Sequence, residues 1–530
     1  MAIHYNLSHL ILHFSFITIP FAMAIHSVLI AVVAIYLLLL FFKKLSIAKI
    51  KLPPGPHGVP LVGYLPFLGR NIHRTFMELA NIYGPIYKLS IGQKLFVLIS
   101  SPTLAKEVLR DQDITFANRN PTIATLAFSF GGKDIAFTPY GPDWRMLRRI
   151  FVQEMQSKGN LDAFYPLRRN EVKKSVRDVY VSSGTPVDVG LLAFASVINM
   201  ITSMFWGGTL QADNGAAINA QFRDAVSELL VILGKPNISD FIPFLARFDI
   251  QGVERDTKRA SRWIEQIFDV VIDQRIQTNN LVKGQDTKEN DTNKDFLGFL
   301  LEFKDDDTGK SLSRPQMKAF LADIVIGGTG TTSTAFVWTM AELMLHPQVM
   351  KKAQDELLEV VGAGNVVEEY HSHKLPYLQA VVKETLRLHP PAPLLLPRCP
   401  VETCTVGGYT IPKGAKVFLN AWAMQRDSQL WENPNKFDPE RFLGDAKNLD
   451  FSGKEFHYIP FGSGRRTCAG LRLGERMLMY TLSTFLHMFH WEVTDDQLPD
   501  TEEKFGIVLE KSTPLIAIPM PRLNNLKLYE

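Results

Sequence analysis

Residues 461–470 read FGSGRRTCAG, and no other stretch of the 530-residue chain narrows its folding options so far. Gly462, Gly464 and Gly470 keep this stretch from continuing a helix, since each glycine costs a helix interior ~1 kcal/mol relative to alanine. Arg465 and Arg466 precede Cys468, and a run of helical texture, LRLGERMLMYTLSTFL, follows it. Cys468 therefore stands at a loop-to-helix junction, where unpaired backbone N–H groups and the positive end of the helix dipole favour an anion. Both effects favour the thiolate, and the arginines add positive charge. Thiolate chemistry and metal ligation are open to such a residue, with a structural cysteine as the competing reading.

A second glycine cluster falls where the pattern otherwise reads as helix. Gly327, Gly328 and Gly330 open the segment GGTGTTST (327–334), inside an apolar run that starts after a capping Ser313 with Pro315 in its first turn. The run ends at Leu345, before His346-Pro347. A helix over this span is roughly 48 Å long and crosses a whole domain.

Composition sets the outer bounds. At 46% hydrophobic residues the chain supports a large core, and a net charge of +3 without a long basic run gives no support for nucleic-acid binding. Three cysteines, Cys399, Cys404 and Cys468, argue against a disulfide framework. From Met1 to Phe42 there is no Lys, Arg, Asp or Glu, and the stretch 21–42 exceeds the ~20 apolar residues that span a bilayer. Lys43, Lys44, Lys49 and Lys51 follow, which by the positive-inside rule places the remainder in the cytosol. Residues 1–51 read as a membrane anchor with its basic flank. The apolar stretch before Pro20 is either an extension of it or a second membrane segment.

LPPGPHGVPLVG (52–63) reads as a stiff, non-helical hinge, and 64–530 as one catalytic domain. The texture is mainly helical to about residue 350, with strand candidates such as LFVLIS (95–100) and a polar, exposed connection at 278–294. After residue 390 short strands such as KVFLN (416–420) alternate with turns such as VGGYTIPKG (406–414). The fold class is mainly α with a smaller β-rich part.

Phe461, Gly464, Arg466, Cys468 and Gly470 together match the haem-binding signature of the cytochrome P-450 superfamily, the haem-thiolate monooxygenases. The chain resembles plant microsomal members, in particular those that oxidise sesquiterpenes or flavonoids. The resemblance implies the P-450 fold, haem b ligated by Cys468, and electrons from NADPH through NADPH-cytochrome P-450 reductase. It implies a location at the endoplasmic reticulum membrane on a single-pass anchor. ETLR supplies Glu384 and Arg387, and PERF supplies Arg441, which in the family form a buried charge network. Trp144 and Arg148 of WRMLRR, with Arg398 and Arg466, resemble the residues that meet the haem propionates.

In the family the long central helix crosses the distal haem face with the pattern small–Gly–x–acid–Thr–Thr/Ser. Here Gly328, Thr331 and Thr332 fit it, and the resemblance implies a locally opened helix with room for dioxygen and water. Gly330 stands where the acid belongs. Asp323 is two turns earlier and ~10 Å along the axis, a poor substitute, so proton delivery is expected to rely on Thr331 and water. Hydroxylation is the leading expectation, and restoring an acid by Gly330→Asp is expected to raise coupling. A haem-dependent dehydration or isomerisation (of an aldoxime, for example), or a weakly active haem-binding protein, is the alternative.

By family position the segment between 119 and Trp144 overhangs the haem, with Ile123, Leu126, Phe128, Phe130 and Ile135. Phe320 and Ile324 on the central helix, Leu394, Leu395 and Leu396, and more weakly Phe505 and Ile507, complete an expected apolar pocket for a terpenoid or a flat phenolic.

Overall fold

The computed structural model describes residues 51–207, 215–282, 295–305, 309–444, 446–493 and 498–530. The expected membrane span lies outside the described residues, as does the polar connection from 283 onward; its first residues, 278–282, instead close a long helix. Residues Pro53–Glu530 form one unit.

Its main elements, in chain order, are α1 (Ile72–Tyr83), β1 (Ile86–Ile91), β2 (Lys94–Ile99), α2 (Ile123–Phe128), α3 (Pro142–Ile150), α4 (Tyr165–Val181), β3 (Val187–Asp188), α5 (Val189–Trp206), α6 (Gly215–Leu233), α7 (Val253–Val282), α8 (Arg314–Leu345), α9 (Pro347–Val361), α10 (Pro376–Leu388), β4 (Cys404–Val406), β5 (Tyr409–Ile411), β6 (Lys416–Leu419), α11 (Leu471–Met488), β7 (Phe489–Val493), β8 (Glu503–Lys504), β9 (Glu510–Lys511) and β10 (Ile516–Pro521). The fold is mainly helical, with small sheets at its margins.

The expected central helix is α8. Ser313 and Gln316 form a reciprocal capping box, with Ser313 N donating to Gln316 Oε1 at 3.0 Å. The helix packs on α5, α6, α7, α10 and α11, so most of its residues are buried. It runs without interruption through the three glycines, so the expected local opening is not there. Hydroxyls take up the carbonyls that water would otherwise need: Thr331 Oγ1 donates to Gly327 O at 2.7 Å and Ser333 Oγ to Thr329 O at 2.8 Å.

Both expected strands form. β2 pairs with β1 antiparallel, from Ile86↔Ile99 to Ile91↔Lys94, and with β6 parallel from Phe96↔Lys416. The turn of 406–414 is the β4–β5 hairpin, with Gly407 and Gly408 at φ +55° and +76°, where a side chain is strained. The proline-rich segment is non-helical, and its backbone lies along β1. Lys88 N donates to Pro54 O and Tyr64 N to Ser90 O, both at 2.7 Å. A Cβ on Gly55 would sit 2.1 Å from Lys88 O, so only glycine allows this approach.

Among the described residues, α5 and α8 are long and apolar enough to cross a membrane. Both are largely buried in the protein and serve as core helices.

Candidate active site

Cys468 lies two residues before Gly470, the residue that caps the N-terminus of α11. Its N–H donates to Phe461 O at 2.9 Å, closing the loop back on itself. Gly464 has φ +69°, and a Cβ there would meet Leu109 O at 2.1 Å and Asp113 Oδ1 at 2.8 Å. The glycine is thus required twice, by conformation and by contact. Arg465 N donates to Asp113 Oδ2 at 2.9 Å, an anchor that sequence reasoning missed.

The loop is braced from behind. Arg387 donates to Glu384 through Nε at 2.7 Å and Nη2 at 2.9 Å, and Arg441 Nε donates to Glu384 Oε1 at 3.0 Å. Glu384 and Arg387 are fully buried, and Arg387 also donates to Gln425 O and Pro434 O. The three expected network residues therefore meet. Gln425, which the sequence did not single out, ties them to the Cys468 segment: its Nε2 donates to Leu386 O and Arg387 O, and its Oε1 accepts from Ile459 N.

Cys468 opens onto a cavity of about 330 Å³ between α8, α11 and the loop 119–137. On the Cys468 side it is lined by Phe461, Arg466, Thr467, Ala469 and Gly470. The opposite side carries Ile324, Gly327, Gly328, Thr331 and Thr332 of α8. A Cβ on Gly328 would lie 2.9 Å from Ile201 Cδ1, so the Ile201 side chain would have to give way. Gly330 does not line the cavity. It faces Leu230 and Val508, whose methyls would lie 3.1 Å and 3.6 Å from an added Cβ.

The Cys468 side chain is open to the cavity, and the surrounding protein pushes its thiol up by desolvation, opposed by the N–H of Gly470 and the nearby Arg148. Desolvation, left out of the sequence-based expectation of a favoured thiolate, acts against the helix end and the arginines.

Of the expected pocket residues, Phe128, Ile135, Ile324, Leu395, Leu396 and Ile507 line the cavity. Phe130, Phe320 and Leu394 do not. Phe320 is fully buried against Phe151 and Phe296, Leu394 packs among the residues beneath β1 and β2, and Phe130 turns toward Lys318. Ile123, Leu126 and Phe505 also fall outside the lining. The missed lining residues Ile201, Leu230, Leu233 and Val508 come from α5, α6 and the β8–β9 hairpin, which no local motif marks.

Four guanidinium groups line the same cavity: Arg119, Arg148, Arg398 and Arg466. Trp144 does not line it; its indole N–H donates to Ile135 O at 3.0 Å, and Arg466 stacks over its ring at 4.5 Å. Arg466 donates to Ala117 O, Ile135 O and Thr138 O, and burial pushes it down to about 9. Arg148 Nη1 donates to Thr467 O. Arg398 Nη2 donates to Ser463 O, while its buried Nη1 has no hydrogen-bond partner and lies 3.6 Å from Asp113 Oδ1. Burial pushes Arg398 down to about 10.

A family model described as Cytochrome P450 matches residues 53–518. The chain belongs to the cytochrome P450 family. It is 36% identical to a flavonoid 3'-monooxygenase of Crocosmia x crocosmiiflora over 92% of this chain and 96% of that one. It is 37% identical to a geranylhydroquinone 3''-hydroxylase of Arnebia euchroma over 91% and 96%. A zebra fish cytochrome P450 solved with abiraterone superposes with a TM-score of 0.70 at 25% identity, covering 85% of this chain and 99% of that one.

Membership makes this P450 an oxidoreductase, a monooxygenase that works with a haem cofactor and electrons supplied by a reductase. The cavity fits that group. Among the described residues no set of three His, Cys, Asp or Glu side chains is placed to hold a metal, so a single thiol donor suits an iron whose other ligands come from a porphyrin. The unpartnered Arg398 Nη1 and the surplus of guanidinium groups suit its carboxylates.

Proposed function

We propose that this P450 hydroxylates a small, largely apolar plant specialised metabolite, a flavonoid or terpenoid, using NADPH and dioxygen. The observation that carries the reading is one cavity lined both by Cys468 and by Gly327, Gly328, Thr331 and Thr332 of α8. Haem b ligated by Cys468 supplies oxygen-atom insertion, the thiolate favouring O–O cleavage. Arg148, Arg398 and Arg466 hold its propionates. Phe461 and Gly470 bound it on the Cys468 side, and Gly464 shapes the loop.

The Glu384–Arg387–Arg441 network keeps the Cys468 loop in place through Gln425. Gly328 leaves the space for dioxygen. Thr331 donates its hydroxyl to Gly327 O, which leaves its oxygen to accept a proton from a water in the cavity. Thr332 lies beside it facing Gly474. Phe128, Ile324, Leu395 and Leu396 exclude water and orient the substrate. NADPH-cytochrome P450 reductase delivers electrons at the endoplasmic reticulum membrane, where residues 1–51 anchor the catalytic domain on its cytosolic side.

The flavonoid 3'-monooxygenase and geranylhydroquinone 3''-hydroxylase relatives support hydroxylation over the dehydration or binding-only alternatives. The test is a panel of flavonoids and sesquiterpenes given to microsomes with and without NADPH. Hydroxylated product that depends on NADPH supports the reading; product without it points to dehydration or isomerisation.

A further inference from the structure

A mostly apolar cavity needs few polar groups to fix a ligand's orientation, and each must be free to bind. In this cavity the side chains that could serve are largely committed. Arg119 donates to Ala136 O, Leu396 O and Pro397 O. Arg148, Arg398 and Arg466 belong to the Cys468 side. Thr125 Oγ1 donates to Thr122 O and Thr331 Oγ1 to Gly327 O, which leaves each hydroxyl to a ligand only as an acceptor.

Asp323 is different. Among the described residues it is the sole acidic one in the cavity lining, on α8 one turn before Gly327. Its Oδ2 accepts two N–H bonds from the overhanging loop, from Ile135 at 3.1 Å and Ala136 at 3.2 Å. Both bonds fall on one oxygen, which tethers the carboxyl to the loop, and among the described residues Oδ1 has no hydrogen-bond partner. The group is therefore held in place before any ligand arrives, so a ligand need not order it.

We propose that Asp323 is a substrate-anchoring residue, whose free carboxyl oxygen hydrogen-bonds a hydroxyl or carbonyl oxygen on an otherwise apolar substrate. This rests on the reading of the cavity as the substrate site. It narrows the substrate to an oxygen-bearing molecule and disfavours a plain hydrocarbon. Burial, together with the carboxylate of the fully buried Asp134 in the adjoining loop, pushes the Asp323 carboxyl well up. A protonated carboxyl donates as well as accepts, which suits a neutral oxygen and not an ammonium group. Asp134 itself is occupied: its Oδ1 accepts from Phe137 N and Thr138 N.

The test uses the full-length holoenzyme and three probes on one flat skeleton: biphenyl, 4-hydroxybiphenyl and 4-(aminomethyl)biphenyl. Dissociation constants come from ligand-induced difference spectra of the wild type, Asp323→Leu and Asp323→Asn. The wild type is expected to bind 4-hydroxybiphenyl about ten-fold or more tighter than biphenyl. Asp323→Leu is expected to abolish that preference while leaving biphenyl within about three-fold. Asp323→Asn, which keeps an acceptor for the loop and a polar group for the ligand, retains it.

Equal weakening of both probes in Asp323→Leu would assign the residue to the loop alone and overturn the proposal. So would a wild type without the preference, or one that binds the amine most tightly; these hold even where the leucine variant fails to fold. No binding of any probe would instead contradict the cavity as a site for small apolar molecules.

Discussion

The two walls of the cavity are built on different physics. On the Cys468 side nearly every constraint is polar and directional: Glu384 holds two arginines, Gln425 links them to the loop, and Gly464 fits against Leu109 O. On the α8 side, apart from the Asp323 bonds to the loop, the constraints are aliphatic side chains set against bare backbone: Ile201 at Gly328, and Leu230 and Val508 at Gly330. A wall made of hydrogen bonds fails when one partner is removed, because buried polar groups are left unpaired. A wall made of methyl contacts shifts by fractions of an ångström and changes shape. The first suits a fixed cofactor and the second suits a substrate that differs among relatives.

The largest effect is expected at Glu384. Glu384→Gln leaves two arginines short of their counter-charge, Arg387 fully buried, and should cost about 3–5 kcal/mol with loss of haem retention. Chemical denaturation and the haem-to-protein ratio measure it. A stable, fully loaded variant would erase the distinction between the walls.

Next is the far end of α8. Burial pushes Glu342 up, but hydrogen bonds from His346 and His389 outweigh it and hold the carboxyl at about 2, while Glu342 raises His346. The folded value is depressed, so this stabilisation is fully present above the unfolded value near 4.5 and is lost as pH falls toward 2. It amounts to about 3 kcal/mol. In unfolding followed from pH 7 to pH 3, the difference between wild type and Glu342→Gln should narrow below about pH 4.5 and fall to roughly half by pH 3.

Smaller effects belong to the methyl wall. Val508→Ala is expected to change substrate affinity by about three- to ten-fold, with haem content unaltered. Substrate titration and the optical spectrum check both halves. The smallest effect is expected from Gly330→Asp. The residue faces Leu230 and Val508, so an acid there displaces flexible side chains before it reaches the cavity, and coupling of NADPH use to product should rise by about two-fold or less. A large rise would mean that position 330 does reach the oxygen's side.

This difference also decides what could be read from the residues alone. The polar wall is written locally: FGSGRRTCAG, ETLR and PERF each place a directional group at a fixed offset. Ser313, Pro315 and His346-Pro347 bracketed α8 to the residue, because capping is a local interaction. The apolar wall is written in long-range contacts. Phe320 and Ile324 sit four residues apart on one helix, yet only Ile324 faces the cavity, because Phe151 and Phe296 claim Phe320. Leu394 and Leu395 are neighbours, and only Leu395, at φ +51°, turns into the lining. Asp323 is set aside in the sequence for its distance from position 330, since nothing local shows that the loop at 135–136 descends onto it.

The central claim is that the Cys468 sulfur binds iron as a thiolate. The direct measurement is the carbon monoxide difference spectrum of the reduced holoenzyme, wild type beside Cys468→His. A thiolate-type band in the wild type, absent from the variant even where haem remains bound, is the predicted result. A variant with haem bound and the same band as the wild type would contradict it.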